Sequence, residues 1–244
     1  GMYLPNRYPH ATYAAMVTHI DRQVGALVQK LKDLGIWENT IFIVTSDNGP
    51  ASNGNSPMEY FQSGGPFKCG KGWGKSSLHE GGIRMPFVLR WGEGKQCEKI
   101  GHISSFADIM PTVAEIAGVE APENDGVSFA PTVLSQTTGG KRYSHASGIK
   151  AGEQKEHEYL YWEFPGSKGW VAVRIGDWKG IVRKVLKGNT EMELYNLKDD
   201  PRESTDVAAE HPEIVKEMWK AVKESHQEAN PDVPKFNMEI NYPE

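Results

Sequence analysis

Between Tyr13 and Leu34 apolar residues recur with a helical period, and the helix they imply runs into an unbroken apolar strand. Met16, Ile20, Val24, Leu27, Val28, Leu31 and Leu34 fall on one stripe, the spacing of a helix with a single apolar face. Gly35 is a natural stop for it. Ile41-Phe42-Ile43-Val44 follows. A β-branched and aromatic run without polar alternation suits a strand covered on both faces in a parallel sheet. A helix feeding such a strand is a signature of α/β layering, and it predicts one buried helix face and one buried strand.

The rest of the chain divides in two. Residues Gly49 to Gly74 are rich in Gly, Ser, Asn and Pro and read as a long loop, a length often tied to function. Met85 to Trp91 reads as a strand and Asp108 to Ala117 as a helix ended by Gly118. Pro- and Gly-rich chain then leads through Thr137-Thr138-Gly139-Gly140. After about residue 155 the pattern becomes antiparallel. Tyr159 to Phe164, Trp170 to Ile175, Trp178 to Val182 and Glu193 to Leu197 read as short strands, with Gly176-Asp177 as a tight hairpin turn. His211-Pro212 opens a last helix with Ile214, Val215, Met218 and Val222 on one face. The expected domains are therefore residues 1–150, α/β, and residues 151–244, a smaller α+β subdomain of antiparallel sheet plus helix.

Composition removes several classes of function. A net charge of -5 over 244 residues excludes a broad nucleic-acid surface, which would be basic, but leaves room for a local cluster of cations around a small anion. No apolar run approaches the ~20 residues of a membrane-spanning helix. Cys69 and Cys97 are the two cysteines. They are too few for a metal cluster of their own, and either pair in an oxidising compartment or stay as buried thiols.

Two segments carry candidate chemistry. Asp47-Asn48-Gly49 directly follows the apolar strand, and open α/β sheets bind ligands beyond the carboxyl ends of their strands. A carboxylate and an amide carbonyl are hard oxygen donors suited to Ca²⁺ or Mg²⁺, although the same residue types also make a plain turn. The second segment runs from Lys68 to Pro86 and holds Lys68, Lys71, Lys75, His79, Glu80-Gly81-Gly82 and Arg84. A lysine there would neutralise a bound sulfate or phosphate; the plain alternative is a solvated basic loop. The run lacks the Gly-x-x-x-x-Gly-Lys-Ser/Thr pattern of a P-loop.

Five stretches in order resemble the type I, formylglycine-dependent sulfatases of the alkaline-phosphatase-like superfamily. They are Met16 to Gly25, Thr45-Ser46-Asp47-Asn48-Gly49-Pro50, Glu80 to Pro86, Ser105 to Thr112, and Leu194 to Glu203. The resemblance implies an alkaline-phosphatase-like sandwich with a smaller C-terminal subdomain. It also implies sulfuric ester hydrolysis, arylsulfatase-like, on a small sulfated substrate, with sulfated sugars foremost. Asp47 and Asn48 would be metal ligands for calcium, or for magnesium. Counting back from Glu80 makes Lys75 the sulfate-contacting lysine, while matching Cys69-Gly70-Lys71-Gly72 makes it Lys71; both are kept, with Lys75 preferred. His79 stands where the family often has an aromatic residue, which makes it a substrate-facing candidate against the plainer reading of a packed histidine. Arg84 is read as support for the fold. Export to the periplasm or beyond follows by the same analogy, and neither nucleic acid nor membrane is expected as a partner.

The family's Cys/Ser-x-Pro-x-Arg nucleophile motif has no match in these 244 residues, so the formylglycine is expected in a preceding segment and the chain alone is expected to be inactive. Strands without their neighbours leave an edge and apolar faces open. The expectation is therefore a piece of a longer polypeptide, or a homo-oligomer whose second copy covers the edge. The alternatives in function are a phosphoric ester or phosphonate hydrolase of the same superfamily, and a non-catalytic module without the nucleophile. Asn48 beside Asp47, where a two-metal relative would place a histidine, favours one hard cation and a sulfatase.

Overall fold

A computed structural model describes residues 6–51, 58–91, 99–136, 154–228, 232 and 238–243. The chain forms two compact units. One comprises Gly1–Met16, Thr45–Pro86 and Glu158–Glu244; the other comprises Val17–Val44 and Phe87–His157. No helix is long and apolar enough to cross a membrane among the described residues. Cys97, and with it the possible pairing to Cys69, lies outside the described residues, as do Thr137 to Gly140.

Helix α1 spans Pro9–Asp33 and strand β1 spans Ile41–Thr45. Both elements stand where the periodicity puts them, with α1 beginning earlier because Pro9 suits a first helical turn. Their expected burial is not observed. No residue of α1 is buried, and Met16, Ile20 and Leu27 are 60%, 61% and 58% exposed. Strand β1 is half-buried to exposed along its length. The reason is local: β1 shares a two-stranded sheet with β2, Phe87–Trp91. Among the described residues no further strand widens it into a surface on which the apolar stripe could lie.

The second unit's core gathers Trp91, Phe129, Ala130, Val133 and Leu134, with Ile41, Leu89 and Ile116 against them. Two four-residue helices belong to the first unit: α2, Met58–Phe61, within the Gly-rich loop, and α3, Glu80–Ile83. Then follow, in the second unit, α4, Ile109–Ala117, and α5, Ala130–Gln136; the latter was not expected in a stretch read as Pro- and Gly-rich chain. Asp108 organises the start of α4. It is fully buried, and its carboxylate accepts from the Ser105 N–H at 2.7 Å and the Val127 N–H at 2.8 Å, with His157 Nε2 at 2.8 Å.

The first unit is built on an antiparallel sheet in the order β3-β4-β5-β6: Leu160–Phe164, Trp170–Ile175, Trp178–Arg183 and Met192–Asn196. Ile175 pairs with Trp178 across the Gly176-Asp177 turn, where Gly176 has φ 55°, the left-handed geometry a two-residue hairpin needs. Alternation splits the sheet into two faces. Val171, Val173, Val182, Met192 and Leu194 pack on Met218 and Val222 of α6, Pro212–Ser225. On the other face Trp170, Ala172, Ile181, Tyr195 and Leu197 pack with Leu78 and Ile83. This second face therefore supports the segment that holds the Glu80-Gly81-Gly82 block.

Candidate active site

The site is framed by glycines that let three backbone segments touch. The Gly49 N–H donates to the Gly82 carbonyl at 2.8 Å, and a Cβ on Gly49 would lie 1.9 Å from the Gly81 oxygen. A Cβ on Gly81 would lie 2.1 Å from the Lys68 oxygen and 2.6 Å from the Trp73 oxygen. Both distances are far inside van der Waals contact, so no other residue fits without moving backbone. The Lys75 N–H donates to the Pro50 carbonyl at 2.8 Å. Together these contacts hold the Asp47-Asn48-Gly49 turn, the Lys68–Lys75 loop and α3 against one another within one unit.

Asp47 sits exposed just past the end of β1, with Asn48 half-buried next to it. Ser46 Oγ donates to the Asn48 carbonyl at 3.1 Å and lies 3.5 Å from Asp47 Oδ1, which ties the turn down locally. Among the described residues no three His, Cys, Asp or Glu side chains converge as a metal site. The two neighbouring oxygen donors suit a share of a Ca²⁺ or Mg²⁺ shell, which for calcium takes 6–8 oxygens in all. They are two of the oxygen donors that a hard cation would need.

Lys71 and Lys75 both point from exposed positions of the loop. They differ in anchoring. Lys75 is hydrogen-bonded through its backbone to the residue that follows Gly49, while Lys71 sits on the turn between Gly70 and Gly72. His79 is placed differently from a surface group. It is 1% exposed, its ring stacks on Trp73 with centroids 3.9 Å apart, and Trp170 and Tyr195 of the sheet stand edge-on to it. Here it is a packed histidine, one layer behind the basic loop.

Behind α3 lies a group of buried charges that sequence reasoning missed. Lys179 of β5 is fully buried, because alternation turns it to the face opposite Val182 and toward Leu78. Its Nζ donates to Glu80 Oε1 at 2.8 Å and lies 3.1 Å from Glu203 Oε1. Glu203 Oε2 accepts the Glu80 N–H at 2.7 Å, and His79 Nδ1 is 3.3 Å from Glu203 Oε1, at ion-pair distance without hydrogen-bond alignment. Arg84 donates to Glu80 Oε2 at 3.1 Å, the supporting role read from sequence. Burial pushes the Glu80 carboxyl up, but the Lys179 ammonium, seconded by Arg84, outweighs it and holds the group below the usual carboxylate range. The one local signal was a lysine inside an otherwise apolar strand; Glu203 had none beyond its place in a turn.

Known proteins match nearly the whole chain. Residues 4–119 match the family Sulfatase, and residues 71–228 match N-sulphoglucosamine sulphohydrolase, C-terminal. The N-acetylgalactosamine-6-O-sulfatase of Bacteroides thetaiotaomicron is 26% identical over 87% of this chain and 43% of its own length. The human N-acetylgalactosamine-6-sulfatase is 27% identical over 93% of this chain and 45% of its own. A solved Bacteroides thetaiotaomicron sulfatase, described with the metabolism of multiple glycosaminoglycans, superposes with a TM-score of 0.64 at 26% identity, covering 84% of this chain and 42% of that one. The chain thus spans a little under half the length of these curated relatives. With family matches that together run from residue 4 to residue 228, the chain belongs to the sulfatase family of the alkaline-phosphatase-like superfamily.

Proposed function

We propose that this chain supplies the metal-turn and lysine share of a sulfuric ester hydrolase acting on sulfated carbohydrate. The observation that carries the reading is the fixed approach of the Lys75 backbone to Pro50, one residue beyond the Asp47-Asn48-Gly49 turn. Asp47 and Asn48 would contribute oxygen ligands to a calcium ion, which when bound stabilises negative charge on the sulfuryl oxygens. Lys75 brings a point charge to the same anion, and a preorganised cation is worth more there than in water. The formylglycine nucleophile would come from sequence outside these 244 residues. The carbohydrate substrate rests on the named activities of the relatives on N-acetylgalactosamine sulfates. Action outside the cytoplasm belongs to the same proposal.

The test is sulfate release from sulfated sugars by the polypeptide that joins this chain to its formylglycine segment. Asp47→Ala and Lys75→Ala should each lower kcat by about 10²-fold or more, and Lys71→Ala should change it little. Near-normal turnover by Asp47→Ala would sink the assignment of the metal turn. Faster turnover of a phosphonate or phosphate ester than of any sulfate ester would move the protein to phosphoryl chemistry. Calcium binding without turnover would make it a non-catalytic module.

A further inference from the structure

The basic loop holds more cationic groups than a single sulfate needs. Lys68 Nζ lies 3.6 Å from the centre of the Trp73 ring. His79 also stacks on that ring, with centroids 3.9 Å apart, and cation–π attraction holds Lys68 against it. Arg202 reaches the same loop from the C-terminal turn, donating from Nη1 to the Pro66 carbonyl at 3.3 Å. Among the described residues no carboxylate pairs with Lys68, Lys71, Lys75 or Arg202, whereas Arg84 and Lys179 are both committed to Glu80.

The acidic neighbours of these cations are turned elsewhere. Asp200 Oδ2 accepts from the Ser204 and Thr205 N–H groups, and Glu203 is buried beneath α3. Glu59 does approach the loop, beside Gly70, which leaves the Gly70–Lys71 side less cationic than the Lys68–Arg202 side. Trp73 stands two residues before Lys75, a backbone span of at most about 7 Å. A Cβ on Gly81 would strike both the Lys68 and the Trp73 carbonyl, so the ammonium fixed on that ring and the lysine proposed for the scissile sulfate belong to one packed loop.

We propose that Lys68, fixed on Trp73, and Arg202 form a second anion-binding position beside Lys75, which takes a further sulfate or carboxylate on the same glycan. This rests on the sulfatase reading above and narrows it to oligosaccharides that carry more than one negative group. The fixed ammonium loses little freedom on binding, and the guanidinium adds planar donors matched to an oxyanion.

The test is calorimetric titration of the full 244-residue chain with a tetrasaccharide bearing two sulfates and with a disaccharide bearing one. The tetrasaccharide should bind about tenfold tighter, and the advantage should shrink as salt is raised. Lys68→Gln combined with Arg202→Gln should abolish that advantage and leave the monosulfated affinity unchanged, while Lys68→Arg should retain it. Equal affinity for the two sugars in the unaltered chain would overturn the proposal, as would a parallel loss for both sugars in the double variant. Lys75→Ala should weaken both sugars; if it alters neither, the sulfatase reading of Lys75 fails, while the Lys68 result is still read from the tetrasaccharide advantage.

Discussion

Lys179 Nζ lies 2.8 Å from Glu80 Oε1, and both groups are buried. Removing Lys179 leaves the buried Glu203 without its ammonium and Glu80 with Arg84 alone. Lys179→Met should therefore lower the stability of the unit by about 3–5 kcal/mol. Urea denaturation followed by tryptophan fluorescence measures it. A loss under about 1 kcal/mol would mean that water enters and solvates the stranded carboxylates.

The same pair fixes a pH dependence. The Glu80 carboxyl titrates lower in the folded chain than in the unfolded one, so the unfolded state takes up protons first as pH falls. The stability from this group is fully present above the ordinary carboxylate pKa of about 4.3 and is lost as pH drops through the lower folded value. Unfolding free energy should decline from pH 5 downward in the natural chain. In Glu80→Gln that part of the decline should be absent, and identical slopes in the two proteins would contradict the account.

Gly81→Ala places a methyl 2.1 Å from the Lys68 carbonyl, and the obstacle is backbone. The cost should be at least about 1–3 kcal/mol. The displacement falls on the Lys68–Lys75 loop and the Gly49 turn, so under the proposed function affinity for calcium and for sulfated sugar should fall with it. A variant that keeps its thermal midpoint and both affinities would show that the loop can yield.

The stripe of Met16, Ile20 and Leu27 is open on α1. Exposed apolar surface of this kind drives association. The 244-residue chain by itself should sediment as dimers or larger species at micromolar concentration. Ile20→Lys with Leu27→Glu should shift it to monomer with little change in unfolding free energy. A monomer without substitution would show that the stripe needs no cover.

How much of this was legible in the chain depends on the range of each interaction. The β4–β5 hairpin and α4 came from local signals: alternation, a Gly-Asp turn and a glycine stop. The Asp47 turn and the Glu80-Gly81-Gly82 block could be found as composition, but their mutual contact through Gly49 could not. Lys179 and Glu203 meet Glu80 across 99 and 123 residues, and no local pattern encodes such a meeting. Helix α5 was missed because Pro131 and its seven residues leave too short a window for a period to show. The apolar stripe of α1 said that a cover is needed; it carried no information on what supplies it.

The long reach of the Glu80 contacts also sets an order in time. On the ribosome the turn bearing Gly81 and Gly82 emerges well before the strand with Lys179 and the turn with Glu203. Closing loops of that length is slow relative to local pairing. At about 5–20 residues per second, α3 waits several seconds for its counter-charges. During that wait the basic loop has no anchor beneath it. A nascent chain stopped short of Glu203 would emerge with its lysines displayed and with the Glu80 N–H lacking its acceptor.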